Sequence, residues 1–181
     1  MHPDPSVATD ADALAARVAD PHRLAAVQAT GLLDTAPEAR FDVLTQRAAD
    51  LLGVPATFLS LVDRDRDFYK SAFGFSPPLS EVRQLEGRTF CHYSIGSATP
   101  LVIEDTLRDP VYRDVPTVTT LGVRAYLGVP LVMPGGEIIG SFCAIDFEPR
   151  PWTAEDVATM ARLAAATLSS INGGDAPPTP A

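Results

Sequence analysis

Two long apolar runs around a Pro-Gly-Gly turn constrain this chain most. Residues 123–133 read VRAYLGVPLVM and residues 137–147 read EIIGSFCAIDF, with Pro134, Gly135 and Gly136 between them. Such a turn folds the runs back on each other as an antiparallel hairpin. A hairpin with one wet face alternates apolar and polar residues, whereas these runs are almost continuously apolar. The sheet they form is therefore expected to be covered on both faces, at least in its middle.

The remaining segments supply cover and further strands. A helical pattern begins at Asp10, with Leu14 and Val18 on one face, after a loose residue 1–9 start. A second helix opens on Asp20 as cap and Pro21 at the first position, and stops at Gly31. The third has Thr35 and Glu38 at capping-box spacing, an apolar stripe of Phe41, Leu44, Ala48 and Leu51, and Gly53 as its stop. The stretches PATFLSLVD and DFYKSAFG then read as strands around a solvated DRDR turn. Residues 74–86 read as an irregular connection. RTFCHYSIG follows as a short helix, PLVIEDT as a strand and DPVYRDVPTVTTLG as a loop. The last helix, from residue 153, has Thr153 and Asp156 as caps and Trp152 placed to staple onto Val157. The expected fold is α+β: a central antiparallel sheet of five to six strands with helices packed on it, and N- and C-terminal helices together. The expected organisation is a loose lead and helix over 1–22, a domain over 23–171 and a disordered tail over 172–181.

The formal net charge is −9, which disfavours phosphate backbones and anionic membrane surfaces as partners. No apolar run approaches the roughly 20 residues of a membrane span. The opening residues lack the basic start and apolar block of a secretory signal. Two cysteines, Cys91 and Cys143, without C-x-x-C spacing, fit a reduced pair in the cytoplasm. No G-x-S-x-G, P-loop or H-E-x-x-H motif is present.

The blocks GLLDTAPEARFDVLTQRAADLLGVPATFLSLVD, TFCHYSI, PLVIEDTLRDPVYRD, AYLGVPLV and IIGSFCAIDFEPRPWTAED, in that order, resemble a bacterial GAF domain from about Arg23 to Ile171. The resemblance implies a sheet with helices on one side and a ligand-sized pocket on the other. It also implies terminal helices that dimerise the module and signal to an output protein such as a kinase, phosphatase or regulator. Ten residues follow Ile171, so a stand-alone receiver or a fragment is expected.

Adjacent Cys91, His92 and Tyr93 pose the chemical question. One GAF-like family reduces free methionine sulfoxide with a catalytic cysteine before the second-last strand. Cys91 would sit at its resolving position, but GVRAY at 122–126 carries no thiol, so the reaction lacks its nucleophile. A Cys-His pair is also similar to the bilin anchor of phytochrome-like sensors, without the surrounding arginines and acidic motif. Metal is disfavoured, because neighbours on a helix point about 100° apart. Cys143 is expected in the core on the face opposite Phe142 and Ala144, and an oxidation switch is conceivable if both thiols share a pocket.

What remains is a pocket wall of Phe90, Cys91 and His92 from the short helix, Asp105 and Tyr112 from the long loop, and Arg124 and Tyr126 from the next strand. Asp105 has a backbone-cap alternative, and Arg124 a surface ion pair with Asp109 or Asp114. The cofactor is unknown. Val157, Ala161, Ala164, Leu168 and Ile171 have heptad spacing, so a homodimer seam is expected, with packing on the sheet as the alternative. The expectation is a non-enzymatic sensory module that binds a small molecule or senses redox state and reports through dimer geometry. The alternatives are a thiol-dependent reductase and a ligand-free interaction module.

Overall fold

A computed structural model describes residues 5–173 of the chain. The predicted tail from residue 174 lies outside the described residues. Helix α1 spans Pro5–Val18, α2 Pro21–Ala29 and α3 Ala39–Leu52, followed by strands β1 (Ala56–Val62) and β2 (Arg66–Phe73). A helical turn α4 (Leu79–Val82), β3 (Gln84–Glu86), α5 (Phe90–Ser94) and β4 (Leu101–Ile103) come next. Then come α6 (Pro116–Thr119), β5 (Ala125–Val132), β6 (Ile138–Asp146) and α7 (Ala154–Ile171). All strand pairs are antiparallel, in the order β3-β2-β1-β6-β5-β4.

The β5–β6 hairpin closes where expected: Met133 N–H donates to the Glu137 carbonyl at 2.8 Å, and Gly136 N–H to that of Met133. Both faces of the sheet are covered. On one face α2, α3 and α7 bury Phe41, Leu44, Ala48, Leu59, Leu61, Leu127, Phe142 and Met160. On the other, α1, α5 and the 104–124 segment bury Phe58, Tyr69, Phe90, Cys91, Ile95, Tyr126, Cys143 and Ile145. Strand alternation assigns the faces, with Ala125, Leu127, Phe142 and Ala144 towards α7 and Tyr126 and Cys143 towards α5.

Several sequence expectations need correction. Helix α1 starts at Pro5, not Asp10, a proline being acceptable in a first turn. Its Val18 joins the α5 side of the sheet, so the Leu14–Val18 stripe does not face α7. Thr35 and Glu38 form no capping box: the Thr35 hydroxyl donates to the Leu32 carbonyl and the Glu38 carboxylate pairs with Lys70 and Arg40. Residues 74–86 contain α4 and the sixth strand, β3, whose three residues pair with the free edge of β2. The face of α7 that packs on the core is offset from the heptad series. Met160, Leu163, Ala164 and Thr167 face inward, while Ala161 is exposed and Val157, Leu168 and Ile171 are half-buried. Thr167 can face the core because its hydroxyl donates to the Leu163 carbonyl at 2.8 Å.

The caps of α2 and α7 and the αL stop at Gly53 (φ 65°) stand as read. Trp152 is buried, and its indole N–H donates to the Ile103 carbonyl at 3.1 Å, tying the start of α7 to β4.

Candidate functional site

Helix α5 is only five residues long, far too short to hold itself, so its neighbours must fix it. Its start is a capping box. The Thr89 N–H donates to Nδ1 of His92 at 2.8 Å, and the Thr89 hydroxyl lies 3.2 Å from the same nitrogen. That hydroxyl also reaches Asp67 Oδ2 at 2.9 Å, and Ser60 donates to the other carboxyl oxygen. His92 is therefore an internal brace. Burial lowers its pKa, although the Asp67 carboxyl opposes that shift.

Asp67 directly follows the DRDR turn, at a position where a carboxylate is ordinarily solvated. Instead its side chain is fully buried on the α5 face, two residues before Tyr69 on the same side of β2. Burial raises its pKa, and the hydroxyl partners only partly offset this. The signal that could have found it is strand period, since Asp67 and Tyr69 share parity.

The next turn of α5 brings two candidates onto β5. The Phe90 ring stacks on Tyr126 at 4.9 Å, and the Tyr126 hydroxyl lies 3.7 Å from Cys91 Sγ and 3.1 Å from Cys143 Sγ. The two sulfurs are 3.8 Å apart, both residues essentially inaccessible and unbridged. Cys143 also contacts the Ser141 hydroxyl at 3.2 Å, which in turn meets Ser94 of α5 at 2.9 Å. Burial pushes the Cys91 thiol and the Tyr126 phenol well above their ordinary ranges. Gly128 makes room for this arrangement: a Cβ there would stand 2.3 Å from the Tyr126 hydroxyl oxygen.

The long segment between β4 and β5 covers this layer. Tyr112 packs edge-on against Tyr93 at 5.1 Å and reaches Phe90 at 6.2 Å. The base of the segment is latched. Arg124 pairs with Asp105 at 3.0 Å, not with Asp109 or Asp114, and the Thr106 hydroxyl donates to the Val123 carbonyl at 2.8 Å. Asp105 also accepts from the Leu107 N–H at 3.2 Å, so it caps the backbone as well. The Arg124 hydrogen bond is the main cause of the lowered Asp105 pKa.

The structure thus brings Phe90, Cys91, Tyr112 and Tyr126 into one aromatic layer, with His92 bracing it from below and the Asp105–Arg124 pair at the loop's base. Tyr93, named in the sequence with its two neighbours, belongs to it too, as do Asp67, Ser60, Thr89 and Gly128, which the sequence did not point to. Two surface cavities lie elsewhere. One of about 580 Å³ is bordered by α2, the end of α7 and the β5–β6 turn. One of about 240 Å³ is lined by Asp42, Lys70, Phe75 and Arg83 among others. Neither is lined by any of the seven candidate residues. Among the described residues there is no cluster of three or more His, Cys, Asp or Glu that could hold a metal. No helix among them is long and apolar enough to cross a membrane.

Comparison with known proteins places this architecture. The chain is 34% identical over 153 residues to a cyclic di-GMP phosphodiesterase of Pseudomonas aeruginosa, a match covering 83% of this chain and 25% of that protein. The chain thus spans about a quarter of the length of the curated relative it matches. Among solved structures, a domain of a putative two-component sensor histidine kinase from Sinorhizobium meliloti superposes with a TM-score of 0.62 at 18% identity, covering 77% of this chain and 93% of that one. The blue-light absorbing form of the PixJ GAF domain from Thermosynechococcus elongatus gives a TM-score of 0.61 at 18% identity, covering 75% and 84%. These similarities at 18% identity speak to the fold alone. The sequence pattern of the GAF domain family matches residues 36–170, three quarters of the chain, and with the six-stranded antiparallel sheet this makes the chain a member of the GAF domain family.

Proposed function

We propose that this domain is a non-enzymatic, cytoplasmic sensory module that takes a small molecule between α5 and the 104–124 segment and reports as a homodimer. Membership of a family found in signalling proteins supports the sensory role. The observation that carries the ligand reading is Tyr112. It is held by ring contacts to Phe90 and Tyr93, on a segment fastened at its base by Asp105, Arg124 and Thr106. Displacing one aromatic ring would open a wall of Phe90 and Tyr93, with Tyr126 stacked behind Phe90, without breaking the sheet. The chemistry of that wall suits a ligand with a flat apolar body, oriented by a polar group at the Asp105–Arg124 pair. Binding would shift the segment's population and so the surface offered to a kinase, phosphatase or other regulator. The half-buried flank of α7 supplies the dimer seam.

Native mass spectrometry against a denatured control, on protein purified under mild conditions, tests both parts. A retained small molecule and a dimeric mass are expected. A ligand that binds yet leaves hydrogen exchange of residues 106–121 unchanged would falsify the mechanism.

A further inference from the structure

Cys91 and Cys143 come from segments 52 residues apart, yet their sulfurs are in van der Waals contact at 3.8 Å. We infer that they form a redox-responsive pair, in which a hydroperoxide converts the two thiols to a disulfide that ties α5 to β6. The inference is independent of whether the aromatic layer takes a ligand.

The chemistry balances with the peroxide as oxidant. One thiol attacks ROOH, breaking the O–O bond, releasing ROH and becoming a sulfenic acid. The second thiol attacks that sulfur, forms the S–S bond and releases water, so two thiols are oxidised as one peroxide is reduced. The second step needs a thiol already beside the first, and the fold supplies one. In a bonded pair the sulfurs stand about 2.0 Å apart, so they must close by roughly 1.8 Å.

That closure has a structural consequence because of what surrounds it. Cys143 sits in the middle of β6, paired on both sides by Phe58 of β1 and Gly128 of β5, and cannot travel far. Cys91 lies on a five-residue helix held mainly by side chains, so α5 is the element that moves. The Tyr126 hydroxyl touches both sulfurs, and its ring stacks on Phe90, the residue before Cys91. Phe90 meets Tyr112, so displacement of α5 reaches the surface segment through two ring contacts. The Ser94–Ser141 hydrogen bond, at 2.9 Å, gives α5 a second attachment to β6 beside the sulfur contact. Burial keeps the Cys91 thiol protonated, which slows oxidation of the closed state and makes the response depend on opening of the cover.

The test uses the wild-type chain. Protein exposed to hydrogen peroxide is denatured in an alkylating reagent and weighed, alongside a cysteine-containing peptide as a control for oxidant activity. The expected product is a monomeric chain lighter by two hydrogens, carrying no alkyl group and restored to two by dithiothreitol. Hydrogen exchange over residues 106–121 should differ several-fold between the oxidised and reduced forms. Two free thiols surviving while the control is oxidised would overturn the inference. So would a disulfide only between chains, or a sulfinic acid in place of the bond. A Cys91–Cys143 bond with identical exchange over 106–121 would overturn the transmission to the surface.

Discussion

The Thr89 hydroxyl and the Asp67 carboxyl meet at 2.9 Å, and this contact joins β2 to the first residue of the α5 turn. Thr89 also holds His92 through the capping box, so one hydroxyl connects a buried acid to a buried base. The Asp67 side chain is wholly inaccessible, and burial raises its pKa above the ordinary carboxylate value. A carboxyl whose pKa is raised by folding contributes stability that is fully present below its unfolded pKa. That contribution is lost as pH rises from the usual carboxylate range through the folded pKa.

Asp67→Asn keeps donor and acceptor capacity towards Ser60 and Thr89 without the ionisation. The variant is expected to gain stability relative to wild type as pH is raised from the usual carboxylate range through the raised folded pKa. Urea unfolding across that range reads the difference. Parallel curves for the two proteins would mean that Asp67 does not titrate on unfolding.

How much of this layer was legible in the sequence follows from where each residue finds its partners. Cys143 is legible on the face opposite Phe142 and Ala144 because strand parity is local. The fold class followed from the apolar hairpin for the same reason. The burial of Asp67 is not legible in the sequence because its partners, Ser60 and Thr89, are 7 and 22 residues away, and only the folded sheet brings them round it. Strand β3 was missed because its residues, Gln84, Leu85 and Glu86, have little strand character of their own and are held by the edge of β2. The buried face of α7 departs from the heptad series because it includes Thr167 and Ser170, polar residues outside that apolar spacing. The Thr167 hydroxyl folds back on the helix, and the Ser170 carbonyl receives Arg40 Nη1 at 2.7 Å.

Lys70 is a buried cationic side chain on the opposite face. A bulge between Leu59 and Ser60 turns Lys70 and Ser71 together towards α3. Its ammonium donates to the Thr35 hydroxyl and the Ala36 carbonyl, both at 2.6 Å, and pairs with Glu38 at 2.7 Å. All three of its donors are used, so the side chain pins the α2–α3 connection to the sheet. Lys70→Met removes them and leaves the Ala36 carbonyl unpaired. The expected loss is about 2–4 kcal/mol in denaturant unfolding. A loss below about 0.5 kcal/mol would mean that water replaces the ammonium without cost.

Gly128 is required by Tyr126 and not by backbone conformation. A Cβ at residue 128 would lie 2.3 Å from the Tyr126 hydroxyl oxygen and 2.7 Å from its Cζ. Gly128→Ala must push the ring off Phe90 and away from both sulfurs. We expect about 1–3 kcal/mol of destabilisation from overpacking. Tyr126→Phe removes the offending oxygen, so the G128A/Y126F double variant should recover part of the loss. Additive losses would place the clash elsewhere.

The Asp105–Arg124 pair is half-exposed and contributes little to global stability, yet it closes the base of the covering segment. Arg124→Gln is therefore expected to leave the thermal midpoint nearly unchanged while hydrogen exchange over residues 106–121 speeds up several-fold. Because Asp105 is held below its usual pKa, the latch is present above the ordinary carboxylate range. It loosens as pH falls through the lowered value. Exchange in that segment that is equally slow in the variant would show that Tyr112 alone holds it.

The two sides of α7 make opposite predictions, and they separate folding from assembly. Leu163 is buried against the sheet-facing core with Met160 and Ala164. Leu163→Ala should cost about 2–5 kcal/mol wherever it is measured. Ala161 is exposed, one turn beyond half-buried Val157 on the flank that carries Leu168 and Ile171. A charge there should leave monomer stability within about 0.5 kcal/mol of wild type. If that flank is the dimer seam, Ala161→Glu places two like charges across a two-fold axis and buries each of them unpaired. Light scattering at matched concentration should then report a monomer for Ala161→Glu and a dimer for wild type, with the same helix content in both. A dimer that tolerates glutamate at residue 161 must be built on another surface.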